Sequence, residues 1–286
     1  MDATTLTISE NTIAQKIHFA PETLPGIKIL AKFVGKKTYY ALAEISSPEY
    51  LLAPENKGGS IEEVYFLFLP FNSSDIKWAK QAEKWMAQAS HADARPTIEL
   101  NIMGNKIFWR PRKAVVMASA ERRDEIMRGL VEFSFYEGRL RKMETQILAD
   151  SATAQNDIAL THAVKVSDLK RQGHVNERTY QATLARMEFV ELQPHLEHPD
   201  ISLPGLARRV ASELAVQAEV FSRLEIIDDQ LEVLEDLYEL ANDRLTEFRY
   251  FREECILEGW VIFLLVLEVV LLVLELFQFW FHAAGS

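Results

Sequence analysis

The sequence predicts an α+β protein with three parts: a mixed α/β N-terminal domain, a long helical region with a coiled-coil-like segment, and a single C-terminal transmembrane helix. Three observations carry that expectation. Short β-prone runs bounded by glycine and proline fill residues 20–120, and from Glu121 the apolar period changes to that of a helix. At the far end, residues 260–281 hold 19 apolar side chains out of 22. The corresponding division is 1–120, 121–204, 205–257 and 258–281.

The β-prone runs come first. "IKILAKFVG" and "TYYALAEI" read as strands around a Gly-Lys-Lys turn, and "GGSIEEVYFLFLPF" sets an apolar strand over 64–69 between a glycine loop and a proline stop. "SSDIKWAKQAEKWMAQASHA" has a helical period, with Ile76, Ala79, Ala82 and Met86 on one side and Ser74 or Asp75 as cap. "TIELNIMGNKIFWRP" gives two extended runs around Met103, Gly104 and Asn105, the strongest hairpin signal in the chain. "RPRKAVVMAS" adds one more strand.

Helical periodicity follows. "AERRDEIMRGLVEFSFYEGRLRKMETQILAD" predicts a long amphipathic helix with Ile126, Leu130, Phe133, Leu140 and Ile147 inward. Further helices are expected over 151–163 and 176–192, then a loop punctuated by Pro194, Pro199 and Pro204. Beyond it, Val220, Leu224, Ile227, Leu231, Leu234, Tyr238, Ala241, Leu245 and Phe248 alternate steps of four and three, the spacing of a coiled coil. Such a seam serves packing within its own chain or self-association. In the second case Leu224, Ile227, Leu231, Leu234 and Tyr238 carry a homo-oligomer.

Residues 260–281 span about 33 Å as a helix, against a hydrocarbon core of about 30 Å. Trp260 and Trp280 stand where interfacial aromatics belong. Glu268 and Glu275 are seven residues apart on one face, with Leu272 between them. Each acidic residue costs about 3 kcal/mol on insertion scales, which some twenty apolar side chains outweigh. The face they share predicts a helix–helix contact in the membrane through Glu268, Leu272 and Glu275; a proton or cation path is the other use, and one span supplies little pore wall for it. Arg244, Arg249 and Arg252 precede the span and no Lys or Arg follows it, so the positive-inside rule places the N-terminal part in the cytoplasm, or on a matrix side. The first residues carry neither an h-region nor an Arg-rich presequence, so the expected anchor is the C-terminal segment.

Composition narrows the partners. A formal net charge of -11 and a pI near 5.2 argue against a broadly basic nucleic-acid surface, and no DNA partner is expected. Cys255, the one cysteine, excludes an internal disulfide and a cysteine-based zinc cluster. Two basic stretches, Arg122, Arg123, Arg139, Arg141 and Lys142 on the first long helix and Lys106, Arg110, Arg112 and Lys113 near the hairpin, are either solvated faces balanced by glutamates or contacts for lipid headgroups or RNA.

The tract "LEDLYELANDRLTEFRYFREECILEGWVIFLLVLEVVLLVLEL" resembles the C-terminal signature of the required-for-meiotic-nuclear-division protein 1 family, which includes the bacterial protein YagE. The resemblance covers mainly 205–280. Glu258 with Trp260, and Glu268 with Val269 and Val270, match its span, and residues 238–245 match the helix before it. Gly259, between the acidic residue and the tryptophan, departs from that pattern, as does "EFRYFREE" in place of a basic stretch. The resemblance implies a mixed N-terminal domain followed by long helices. It also implies kinship with mitochondrial inner-membrane proteins that support organellar translation, to which ribosome tethering is ascribed, and, with no presequence in the first residues here, a bacterial inner membrane as the setting.

Phosphate-binding glycine loops, nucleophile elbows and the H-E-x-x-H zinc motif do not occur, so no cofactor or metal is expected. His195 and His198 flank Glu197 between Pro194 and Pro199, an arrangement read as surface polar residues rather than a metal site. Cys255 is a candidate for acylation or an inert side chain, and the acceptor pattern at Asn72 has no use in the cytoplasm. The sequence thus favours a non-enzymatic membrane-anchored scaffold or tether that is homo-oligomeric and binds a protein or ribonucleoprotein. A membrane-associated enzyme, and a channel or transporter subunit using Glu268 and Glu275, are the alternatives.

Overall fold

In the computed structural model, residues 12–46, 63–70, 85–86 and 95–284 are described, with side chains as far as Glu275. The helix expected over 73–92 and the Asn72 pattern lie outside the described residues, except that Trp85 and Met86 are helical and buried. Two compact units emerge, residues 1–148 with 185–229 and residues 149–184 with 230–286.

The first unit is built on a sheet of seven strands: β1 (Ile13–Ala20), β2 (Lys28–Phe33), β3 (Tyr39–Ser46), β4 (Glu63–Pro70), β5 (Ile98–Ile102), β6 (Asn105–Arg110) and β7 (Lys113–Ala118), in the order β2-β3-β1-β4-β7-β6-β5. Every pair is antiparallel except β4 with β7, which run parallel from Tyr65 beside Lys113 to Pro70 beside Ala118. The middle strands are buried on both faces, which is why "VYFLFL" and "AVVMA" read as apolar runs rather than alternations. Strand β1 was not anticipated. Its signal in the sequence is the alternating apolar pair Ile17 and Phe19, both buried.

The hairpin expected at Met103 and Gly104 is present. Ile102 pairs with Asn105, and both loop residues have positive φ, 51° and 78°. That is the backbone of the tight turn whose twist suits flanking strands. The Asn105 amide donates to the carbonyls of Ile102, at 3.0 Å, and Met103, at 3.4 Å.

Helix α1 (Arg123–Ala154) is the long amphipathic helix, with Ile126, Leu130, Phe133, Leu140 and Ile147 all buried. Phe135 stacks on Phe33 at 3.9 Å and meets Phe19 and Tyr39 at 5.3 and 5.7 Å. Trp109 meets Phe133 edge-on at 4.9 Å, and its indole N–H donates to Ser134 Oγ at 3.0 Å, which satisfies the one polar group that burying the ring desolvates. The opposite face of the sheet packs Ala14, Leu67, Leu69, Phe108, Val115 and Met117 against Trp85 and Met86.

A separate helix over 151–163 does not form. Helix α1 runs on to Ala154, and the chain then makes two 3-10 turns, Ile158–Thr161 and Val166–Arg171. Helix α2 (Gln172–Glu197) contains Pro194, which the sequence reading placed in a loop. Pro194 lies in the last turn, where it removes the one ladder bond its own N–H would make, and the helix ends three residues later. The stretch 205–257 is two helices, α3 (Gly205–Gln217) and α4 (Val220–Ala284). They break at Glu219, whose φ is 52°, and whose N–H donates to the Val216 carbonyl at 3.1 Å. In the second unit, Leu160, Val175, Leu231, Leu234, Tyr238, Ala241 and Leu245 are among the buried apolar residues.

Candidate functional site

Three features hold chemistry. The first is the far part of α4. Every side chain over 250–275 is exposed, and an 18-residue window within Val220–Glu275 has mean hydropathy 2.6 with none of it buried. The structure thus contains a helix long and apolar enough to cross a membrane, attached to a folded part. Glu268, Leu272 and Glu275 lie on this exposed stretch, spaced so that one helical face carries all three. Cys255 is exposed as well.

The heptad upstream has a different fate. Val220, Leu224, Ile227, Leu231, Leu234, Tyr238, Ala241 and Leu245 are each 5% exposed or less within the single chain. Their seven-residue period is therefore satisfied by intrachain packing, one of the two uses open from sequence. Leu224, Ile227, Leu231, Leu234 and Tyr238 are not available on the surface as an association seam.

The second feature is a buried charge network in the first unit. Glu137 on α1 accepts from Arg95 at 3.1 Å, Arg141 at 3.0 Å and Arg223 at 3.3 Å. Arg95 and Arg223 also reach Glu144, at 2.8 and 2.6 Å. Burial pushes the Glu137 carboxyl up, and three guanidinium groups pull against that. At Glu144 burial also pushes up, but the hydrogen bond and charge of Arg223, with Arg95, outweigh it and hold the carboxyl below its ordinary value. The second unit has a smaller counterpart. Asp157, buried, accepts from Arg171, from the His174 ring at 3.2 Å and from the Tyr238 hydroxyl at 3.4 Å. Both are structural ties, because their carboxylate oxygens are occupied by donors from the chain itself.

The third feature surrounds Glu132 on α1. Its side chain is buried beside a cavity of about 10 Å³ lined also by Phe133, Tyr136, His195, Leu196, Pro199 and Ala211. The His195 and Tyr136 rings stack at 4.4 Å with 8° between their planes. Burial, then the charge of Asp200, pushes the Glu132 carboxyl up to about 7. Burial also raises the Tyr136 hydroxyl. Asp200 itself is held low by hydrogen bonds from the Ser202 backbone and side chain, both at 2.8 Å. His195 is half-buried here, not the surface residue that its place between prolines predicts, and no motif in the sequence marks Glu132. The available signal is a glutamate at an inward position of α1, two residues after Leu130.

The basic stretches are largely spent on internal contacts. Arg139 pairs with Glu188 at 3.3 Å and Arg141 with Glu137, while Arg122 donates to the Met103 carbonyl at 3.1 Å. Arg110 donates to the Met86 carbonyl at 3.3 Å, and Lys113 sits over the Trp85 ring at 4.9 Å. Burial, with Arg110 nearby, lowers the Lys113 pKa. No group of three or more His, Cys, Asp or Glu side chains suited to a metal ion occurs among the described residues. No protein-family model matches the chain, and no curated protein matches it.

Proposed function

We propose that the protein is a membrane-anchored scaffold, held in the bilayer by α4 from about Trp260 and presenting its folded part to a protein or ribonucleoprotein partner. The carrying observation is that every residue over 250–275 is exposed, a stretch that includes Trp260, Phe263 and a run of leucine and valine. Water is a poor solvent for such a surface: each fully exposed Leu or Val forgoes about 1.5–3 kcal/mol of burial. An apolar phase outside the chain supplies that burial, and a bilayer fits both the length and a circumference that is apolar except along the face of Glu268 and Glu275. Arg244, Arg249 and Arg252 before the span favour the cytoplasmic side for the folded part, in a bacterial inner membrane. In this reading the face of Glu268, Leu272 and Glu275 is where spans of a homo-oligomer meet. Truncation after Glu254 tests the anchor: the full chain should float with liposomes and the truncated chain should not. A truncated chain that stays in the membrane fraction after a carbonate wash overturns the reading.

A further inference from the structure

A buried carboxyl normally has a partner. Glu132 has none among the described residues: no hydrogen bond or ion pair reaches it, although it is only 8% exposed. What it has instead is a cavity of about 10 Å³ between Tyr136, His195, Leu196, Pro199 and Ala211, room for a single water. An ionised carboxylate in such a place is costly, and a neutral acid sharing one water is not.

The surrounding charges sharpen the contrast. Helix α1 contributes Tyr136 and Arg139, and α2 contributes Glu191 and His195. The connection from α2 to α3 brings Asp200, which stays ionised through its two bonds from Ser202. Helix α3 turns only the small Ala211 to the cavity and leaves Arg208 and Arg209 exposed. An ionised Glu132 therefore faces a fixed like charge at Asp200. The member of this set with the fewest ties to the rest of the unit is the connection. It is short and mostly exposed, and its bonds are its own: His198 N–H to Pro194 O at 2.9 Å, Leu203 N–H to Asp200 O at 3.1 Å and Arg208 N–H to Pro204 O at 3.0 Å.

We infer that Glu132 is a proton-binding site that latches the connection between α2 and α3: protonated, it stays under residues 198–204, and deprotonated, it drives that connection open to water. This goes beyond the scaffold reading and does not depend on it.

The test is amide hydrogen exchange at His198, Leu203 and Arg208 in the full chain, in detergent micelles, across about pH 5.5 to 8.5, corrected for intrinsic rates. Protection should fall ~10-fold or more as pH rises, because a pKa displaced by one unit or more couples to opening by at least that factor. In Glu132→Gln the protection should not change with pH. The carboxyl carbon resonance of Glu132 in the unmodified chain is read in parallel, with an expected midpoint near 7. A pH-independent wild type, an unchanged slope in Glu132→Gln, or a midpoint at the ordinary carboxylate value overturns the inference. The carbon resonance decides if the variant does not fold.

Discussion

Gly129 on α1 lies directly against the backbone of Ala207 on α3: a β-carbon at position 129 would stand 3.0 Å from the Ala207 α-carbon, and closer still to its carbonyl oxygen. Backbone cannot yield as a flexible side chain does, so the helices must part to admit a methyl group. Gly129→Ala should therefore lower stability by about 1–3 kcal/mol, against the helix-propensity gain of about 1 kcal/mol that Ala normally brings. Gly173 on α2 has nothing within 4 Å of the same position, and Gly173→Ala should stabilise. Thermal unfolding followed by circular dichroism separates the two. Equal shifts in Tm would refute the close approach.

Glu137 and Arg223 form the most enclosed ion pair of the network, with side-chain exposures of 1% and 13%. Glu137→Gln leaves three guanidinium groups facing a neutral amide and should cost about 3–5 kcal/mol. Arg95 is 37% exposed, and Arg95→Ala should cost about 1 kcal/mol or less. Denaturant midpoints for both variants test the ranking, which fails if Arg95→Ala is the more damaging.

How legible was this architecture in the sequence? Elements fixed by local chemistry were readable. The hairpin at Met103 and Gly104 follows from turn geometry, and the inward residues of α1 follow from the 3.6-residue period. Missed features depend on tertiary choices. The break between α3 and α4 sits at Glu219, with no glycine to mark a left-handed residue and no proline to mark a helix end. The heptad from Val220 fits a seam between chains as well as a seam within one, because periodicity records that a face is buried and not what covers it. Glu132 was hidden for the opposite reason. A glutamate in a helix is unremarkable until packing places Ala211 and Pro199 around it.

Met103 occupies a position where asparagine is preferred. Its φ is 51° and its side chain is 61% exposed, so no packing compensates for the left-handed backbone. Met103→Asn should raise stability by about 0.5–1 kcal/mol. The outcome to look for is a small rise in Tm with the hairpin amides unchanged; a fall would mean that Met103 has contacts outside the single chain.

Glu132 should make overall stability depend on pH in a defined direction. Its folded-state carboxyl is raised to about 7 from 4.5, so between those values the folded chain holds a proton that the unfolded chain has lost. The contribution is fully present below about pH 4.5 and is lost as pH rises through about 7. The loss is on the order of 3 kcal/mol. Glu132→Gln should therefore be more stable than the wild type at pH 8 and no more stable at pH 5, as read from denaturation at the two pH values.

Glu268 and Glu275 offer the sharpest separation between anchoring and assembly. If α4 spans a bilayer, each glutamate burdens insertion by about 3 kcal/mol, and Glu268→Leu with Glu275→Leu removes both burdens. Liposome flotation should then be unchanged or stronger. Assembly should respond in the opposite sense, because the heptad upstream is buried within its own chain and the Glu268, Leu272 and Glu275 face is left to bring spans together. Light scattering in detergent should show a homo-oligomer for the wild type and a smaller or heterogeneous species for the double variant. The two readouts fail independently. Loss of flotation in the leucine variant would sink the membrane reading, since nothing in a bilayer opposes replacing glutamate by leucine. A wild type that is monomeric at micromolar concentration would leave the anchor standing and assign the two glutamates to a different partner in the membrane.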